Sequence, residues 1–302
     1  MTNALKNQVV LVTGASTGIG NLSARALAAA GHIVYASMRD VAGRNAPRAT
    51  ELHDYAAAGG YCLKALELDV LSQESAERAV RTIVEEQGRL DVVIHNAGHL
   101  VVGAVEAFTP EEIVKVFDTN VLGTQRVNRA ALPQLRKQES GLLLWVSSST
   151  VRGGFPPFLG PYVAAKAAMD SLAQSMAYEV AKFGIETSFV VPGAFTRGTS
   201  HFPNAGRPAD EATSAAYDRV SHVLDQVGAR LSALTPPEAD PQAVADEIAR
   251  IVSLPAGLRP ARSVIDFVGD GAAEVTELSE QVRIAFAQRL GIGDLLTASA
   301  AK

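Results

Sequence analysis

The feature that most constrains this chain is a set of short apolar runs that do not alternate. Val9-Val10-Leu11-Val12 and Leu142-Leu143-Leu144-Trp145-Val146 are apolar at every position. A strand with one face in water alternates apolar and polar residues, so such runs belong to strands buried on both faces. β-rich runs recur at residues 9–13, 33–37, 61–68, 92–95, 142–147 and 187–191, with helical stretches at 19–30, 72–87, 110–137 and 161–182 between them. This alternation predicts an α/β fold: a doubly wound parallel sheet in three layers, α/β/α, forming a single domain over residues 1–302.

Two helix starts are marked by their chemistry. Ser72 with Ser75 opens one, and Thr109-Pro110-Glu111-Glu112 opens another with a cap, a helix-compatible proline and acids at the positive helix end. The rhythm breaks over about 197–237, where Gly198, Pro203, Gly206 and Pro208 precede a helical stretch ending in Thr235-Pro236-Pro237. That segment is expected to be a substrate lid. A helix from Asp240-Pro241 to about Ser253, a last strand over 263–268 and a final helix over 272–290 follow, with a C-terminal extension over about 270–302.

Composition excludes several classes of function. Lys plus Arg number 27 against 32 Asp plus Glu, for a net charge of −5, and no dense basic run offers a grip for nucleic acid or an anionic membrane. The only cysteine is Cys62, which rules out an intramolecular disulfide and a cysteine-rich metal site and suits a reducing cytoplasm. The six histidines lack ligand-like spacing with acids, so no metal is expected. No apolar run approaches the roughly 20 residues a membrane span needs, and residues 1–8 lack the charged-then-apolar order of a signal peptide.

Three constellations carry chemistry. The first strand runs into Thr13-Gly14-Ala15-Ser16-Thr17-Gly18-Ile19-Gly20 and then an Ala-rich helix. Glycines let the backbone approach a pyrophosphate, while the unpaired N–H groups and dipole of the following helix favour its charge. Tyr162 and Lys166 are four residues apart at the start of a helix, so their side chains converge on one face. Free tyrosine titrates near about 10, and a neighbouring ammonium is expected to lower that for proton transfer near neutrality. Ser147, Ser148 and Ser149 stand together at the carboxyl end of a strand, where open parallel sheets place ligands. Ser147 and Ser148 have no suitably placed His and acid, which argues against a hydrolase nucleophile.

The Gly-x-x-x-Gly-x-Gly spacing, the Tyr162-Val163-Ala164-Ala165-Lys166 run and His95-Asn96-Ala97-Gly98 resemble, in order over roughly residues 8–196, the motifs of the classical short-chain dehydrogenase/reductase family. The resemblance implies a Rossmann-like fold and an oxidoreductase that moves a hydride between a nicotinamide and a carbonyl/alcohol pair. Tyr162 is then the general acid/base and Lys166 also holds the nicotinamide ribose. Ser149, thirteen residues before Tyr162, is at the family's usual spacing for the serine that bonds the reacting oxygen. Asn120 is implied to hold a water relaying protons to Lys166. Asp69 and Val70 are implied adenine contacts, and Asn96, Ala97 and Gly98 line the cofactor path. Pro192 and Gly193 begin the segment that meets the nicotinamide, with Val191 against the ring and Thr196 on its amide or phosphates.

In dinucleotide folds an acid at the end of the second strand pairs with a ribose 2′-hydroxyl, and an arginine accommodates a 2′-phosphate. Met38 falls where NAD-preferring relatives carry their acid, and Arg39 follows it. NADP(H) is therefore favoured, with Ser37 or Arg44 as helpers to Arg39, and NAD(H) is the alternative. Phe155-Pro156-Pro157-Phe158-Leu159, with Phe195 and Phe202, suggests an apolar substrate wall, and Arg152 either meets a carboxylate or faces water. Ala164, Ala165, Ala167 and Ala168 narrow the Tyr162 helix; relatives commonly pair through this helix and the one bearing Asn120, so a homodimer or homotetramer is expected. A non-catalytic dinucleotide sensor is the rival reading, but it has no need of Asn120, Ser149, Tyr162 and Lys166 together.

Overall fold

The computed structural model describes residue 5, residues 7–199 and residues 201–299; Ser200 of the expected lid and the ends of the expected domain, at 1–4, 6 and 300–302, lie outside the described residues. Strands β1 (Val9–Val12), β2 (Ile33–Met38), β3 (Leu63–Glu67), β4 (Val92–His95), β5 (Gly141–Val146), β6 (Ile185–Pro192) and β7 (Arg262–Ile265) form one sheet in the order β3-β2-β1-β4-β5-β6-β7, every pair parallel. The helices are α1 (Gly18–Ala29), α2 (Ala46–Gly59), α3 (Gln73–Gln87), α4 (Pro110–Phe117), α5 (Gly123–Gln138), α6 (Gly160–Ala181), α7 (Glu211–Ala216), α8 (Asp218–Leu234), α9 (Gln242–Ser253) and α10 (Ala272–Arg289).

The unbroken apolar strands are explained by two cores, one on each face. Leu11, Val93, Leu143, Trp145 and Phe189 pack with residues of α3, α5 and α6, while Val10, Val12, Ile94, Leu142, Leu144 and Val190 pack with residues of α1 and α9. Neighbouring residues of one strand thus serve opposite layers, and each fully buried aliphatic side chain contributes roughly 1.5–3 kcal/mol. Parallel pairing aligns His95, Trp145, Phe189 and Arg262 in one row across β4 to β7. The row is stacked: His95 and Trp145 rings lie 4.1 Å apart, Trp145 and Phe189 6.5 Å, and the Arg262 guanidinium sits 4.0 Å over the Phe189 ring.

Three elements differ from the sequence reading. α2 was not expected; among its residues only Leu52 and Ala56 are buried, so it carries almost no apolar periodicity. The single helix expected over 110–137 is interrupted by a π turn at Asp118–Leu122 that contains Asn120. The last strand covers Arg262–Ile265 instead of 263–268. Among the described residues, no helix is long and apolar enough to cross a membrane.

Candidate active site

The strand order reverses between β1 and β4, and the carboxyl ends of the strands there open into a cleft of about 1070 Å³. Its floor is stitched by side chains. Thr13 Oγ1 donates to Ile94 O at 3.0 Å and accepts from the backbone N–H groups of Asn96 and Ala97 at 3.0 and 3.1 Å. Asn96 Nδ2 donates back to Thr13 O and Gly14 O at 2.8 and 3.0 Å. Gly14 has φ +66°, and a Cβ there would fall 2.7 Å from Ala97 Cα, so only glycine fits both the turn and the approach of the two strand ends.

α1 begins at Gly18 with Thr17 as N-cap, yet no side chain caps it and its first turn holds no acid. Its leading N–H groups are therefore available to an anion. Gly14, Ser16, Thr17, Gly18, Ile19 and Gly20 all line the cleft at this end. Further out it is lined by Arg39, Arg44, Asp69 and Val70, and inward by Asn96, Ala97 and Gly98. Asp40 is turned away from it: one carboxylate oxygen accepts from Arg44 N–H at 2.8 Å.

Ser37 requires a correction. Its side chain is fully buried, with Oγ donating to Val12 O at 3.0 Å, and it does not line the cleft. Its main chain matters instead, since Ser37 O accepts from Ala15 N–H of the glycine turn. At the opposite end, Pro192 and Gly193 line the cleft; Thr196 does not, and its Oγ1 is buried with no partner. Val191 is buried in the core rather than presented to the cleft.

α6 carries Tyr162 and Lys166 into the centre of the cleft, both nearly inaccessible. Lys166 Nζ donates to Val146 O at 2.9 Å, and burial lowers its pKa to about 8 against the pull of Asp170. Burial pushes the Tyr162 phenol up to about 12, and a hydrogen bond with the Ser148 side chain works in the opposite direction. The expected lowering by the Lys166 ammonium has no part in this balance, which desolvation of the phenolate dominates.

The serine beside the phenol is Ser148, not the expected Ser149. Ser148 Oγ also meets Thr150 Oγ1 at 2.8 Å and caps the short turn that follows, in which Ser149 is buried and its carbonyl accepts from Arg152 N–H at 3.0 Å. The spacing from Ser148 to Tyr162 is fourteen, and the connecting loop holds Phe158 at φ +66°, a left-handed conformation that a bulky residue rarely adopts. An irregular loop of this kind makes a spacing count unreliable as a guide to which hydroxyl faces the tyrosine. Ser149 still lines the cleft.

Asn120 is fully buried in the π turn. Its Nδ2 donates to Val116 O and His99 O at 2.9 and 3.0 Å, and its Oδ1 accepts from His99 N–H at 3.1 Å. A Cβ on Gly98 would lie 2.8 Å from Asn120 Oδ1 and 3.8 Å from Lys166 Nζ, so these two groups flank a strip of bare backbone. The His201 ring stands edge-on to Tyr162 at 5.5 Å, a contact that no sequence pattern suggested. Arg152 does not line the cleft; the carboxylate it meets is the protein's own Asp170, at 3.3 Å, with Gln174 at 3.3 Å and Ser279 of α10 as further partners.

The family profile described as short chain dehydrogenase matches residues 8–207. This chain belongs to the short-chain dehydrogenases. It is 35% identical over 194 residues to the 3-ketodihydrosphingosine reductase of Bacteroides thetaiotaomicron, covering 64% of this chain and 66% of that one. It is 35% identical over 188 residues to human 17-beta-hydroxysteroid dehydrogenase type 1, covering 61% of this chain but 56% of that one. The chain thus spans just under two thirds and just over half of these two relatives' lengths. Among solved structures, a short-chain dehydrogenase from Streptomyces avermitilis superposes with a TM-score of 0.71 at 31% identity, covering 96% of this short-chain dehydrogenase and 99% of that one. An alcohol dehydrogenase from Thermococcus sibiricus, complexed with 5-hydroxy-NADP, shares the fold at 24% identity with a TM-score of 0.67.

Proposed function

We propose that this protein is an NADP(H)-dependent oxidoreductase that interconverts a ketone or aldehyde and an alcohol, with a medium or large apolar substrate. The observation that carries the reading is the buried Tyr162 phenol beside the Ser148 hydroxyl, with Lys166 one helical turn away, at the inner end of a cleft that starts on an uncapped helix N-terminus. The residues suit a dinucleotide: the bare first turn of α1 would hold the pyrophosphate, and Pro192 and Gly193 line the nicotinamide end. Arg39 and Arg44 line the adenosine end and Asp40 is engaged elsewhere, which favours a 2′-phosphate.

When bound, the nicotinamide supplies the hydride. With a pKa near 12, the phenol holds its proton at neutral pH and acts as the acid in reduction, giving it to the carbonyl oxygen as that carbon gains the hydride. Ser148 Oγ bonds the same oxygen and orients it. Lys166 places positive charge behind the phenolate that forms and holds a proton able to replace the one given up. Asn120 fixes the His99 backbone around this pair. In oxidation each proton moves the other way.

The apolar end of the cleft is walled by Phe155, Leu159, Phe195 and Phe202, with Val227 and Leu231 of α8 above, so residues 197–237 act as the substrate lid. The two relatives named for a sphingoid ketone and a steroid support a large apolar substrate. Assembly into two or four copies completes the reading: α6 leaves Leu172 exposed, and α10 leaves Leu278, Val282 and Phe286 exposed.

The test follows NADPH absorbance with trans-1-decalone and 2-dodecanone as probe ketones. Tyr162→Phe is expected to lower kcat/KM by about 100- to 10,000-fold. Ser148→Ala is expected to cost about a hundredfold, and Ser149→Ala less. Arg39→Ala is expected to reduce the preference for NADPH over NADH at least about tenfold. NADPH binding without turnover of any ketone would favour the sensor reading, and an unchanged cofactor preference would remove Arg39 from the phosphate site.

A further inference from the structure

Behind the Tyr162–Lys166 pair lies a buried charge cluster. α6 presents Tyr162, Lys166 and Asp170 at intervals of four, a single stripe of the helix. The Asp170 side chain is 2% exposed and the Arg262 side chain 3%. Arg262, from β7, makes a two-pronged contact with the carboxylate, Nη1 to Oδ2 at 2.8 Å and Nη2 to Oδ1 at 2.7 Å, while Arg152 Nη2 reaches Oδ1 at 3.3 Å. The remaining contact points toward the active site: Ser147 Oγ donates to Asp170 Oδ2 at 2.7 Å.

Ser147 sits between the two residues that touch the proton-handling groups. On one side Val146 O accepts from Lys166 Nζ, and on the other the Ser148 hydroxyl acts on the Tyr162 phenol, favouring its ionised form. Both arginines also reach α10, Arg152 through Ser279 and Arg262 through Glu280 at 3.4 Å, so the cluster ties the C-terminal helix to the catalytic strand end. A buried ion pair contributes little net stability once desolvation is counted, so its geometry is the more informative property.

We propose that Asp170 is a positioning residue for the Tyr162–Lys166 pair: held by Arg262 and Arg152, it fixes the Ser147–Ser148 backbone and sets a negative charge one helical turn behind the Lys166 ammonium. This rests on the catalytic reading of Tyr162 and Lys166 given above. The charged and titratable groups around Asp170 are Arg152 from the loop after β5, Arg262 from β7 and, through Arg262, Glu280 from α10. Those around Lys166 are Asp170 and Tyr162 on its own helix and His201 from the loop after β6. Burial works to raise the Asp170 pKa, but the Arg262 bonds, with Ser147 and Arg152, hold it below the usual carboxylate range, so it stays charged.

The experiment titrates Lys166 by NMR in the full chain labelled at lysine Cε and Nζ, with the resonance assigned by Lys166→Arg, and measures kcat with NADPH and trans-1-decalone. Asp170→Asn keeps an oxygen for Ser147 but removes the charge, and is expected to lower the Lys166 titration point by roughly one pH unit or more. Its kcat is expected to fall at least about fivefold, the kinetic equivalent of roughly 1 kcal/mol. Asp170→Glu restores the titration point. An unmoved Lys166 titration in Asp170→Asn overturns the proposal, because a merely structural carboxylate would alter yield and melting but not that value. If Asp170→Asn does not fold, Ser147→Ala carries the test: lower kcat with the Lys166 titration unchanged supports the proposal, and wild-type kcat overturns it. Wild-type turnover by Tyr162→Phe would remove the catalytic reading while leaving the Asp170–Lys166 coupling measurable.

Discussion

His95 closes β4 and is buried. Its Nε2 meets Asn128 Oδ1 at 2.8 Å, its ring stacks on Trp145, and its Nδ1 has no partner. Burial lowers its pKa to about 4. The unfolded chain, with an ordinary histidine pKa near 6.5, takes up the proton first as pH falls. The stability contributed by neutral His95 is therefore complete above about pH 6.5 and is lost between about 6.5 and 4, by up to about 3 kcal/mol. Urea unfolding at a series of pH values is expected to show a smaller acid loss in His95→Asn, with His32 and His201, both also held near 4, contributing to what remains. An equal loss in both proteins would contradict this account. At this scale the sequence was most informative about residue type and least about direction: Tyr162 and Lys166 were legible because a helix fixes the relation of positions four apart. Spacing pointed to Ser149 and away from Ser148, because a count across the irregular loop at Phe158 does not follow which hydroxyl faces the phenol. Ser37 was misplaced because a polar residue at a strand end can turn inward to bond backbone, while Arg152 does meet a carboxylate, that of Asp170.

At the scale of elements, boundaries with their own chemistry were the readable ones. Thr109 accepts from Glu112 N–H at 3.2 Å while the Glu112 carboxylate accepts from Thr109 N–H at 2.9 Å, a reciprocal cap at the start of α4. The other Glu112 oxygen accepts from Ala209 N–H at 3.0 Å, so the same residue pins a point within the proposed lid, residues 197–237. Thr109→Ala is expected to cost about 1 kcal/mol, read from the urea midpoint at unchanged slope; a loss under about 0.3 kcal/mol would show that the cap does not hold this end of the helix. α2 went unread because a helix lying on the surface with two buried residues has no periodic signature to offer. The π turn was unreadable for a different reason: an extra residue in a helix leaves composition unchanged, yet it re-aims Asn120 toward the His99 loop.

At the scale of the whole molecule, alternation of doubly buried strands and helices carried almost all of the architecture. Parallel strands with right-handed crossovers leave few ways to order the sheet, and the reversal between β1 and β4 then places the cleft. The proposed assembly belongs to this scale as well. Light scattering is expected to give two or four times the mass of one chain, and a charged substitution such as Leu278→Lys is expected to lower that value if α10 lies in the interface; a single-chain mass for the wild type would refute the assembly. The stacked row across the sheet has a practical consequence. Trp145 is the only tryptophan, it lies flat between His95 and Phe189, and its strand ends in the serines of the cleft. Its near-ultraviolet emission overlaps the absorption of reduced nicotinamide, so the protein contains an intrinsic optical reporter: quenching of a single unlabelled fluorophore would follow dinucleotide uptake, and protonation of the adjoining imidazole would dim the same signal independently.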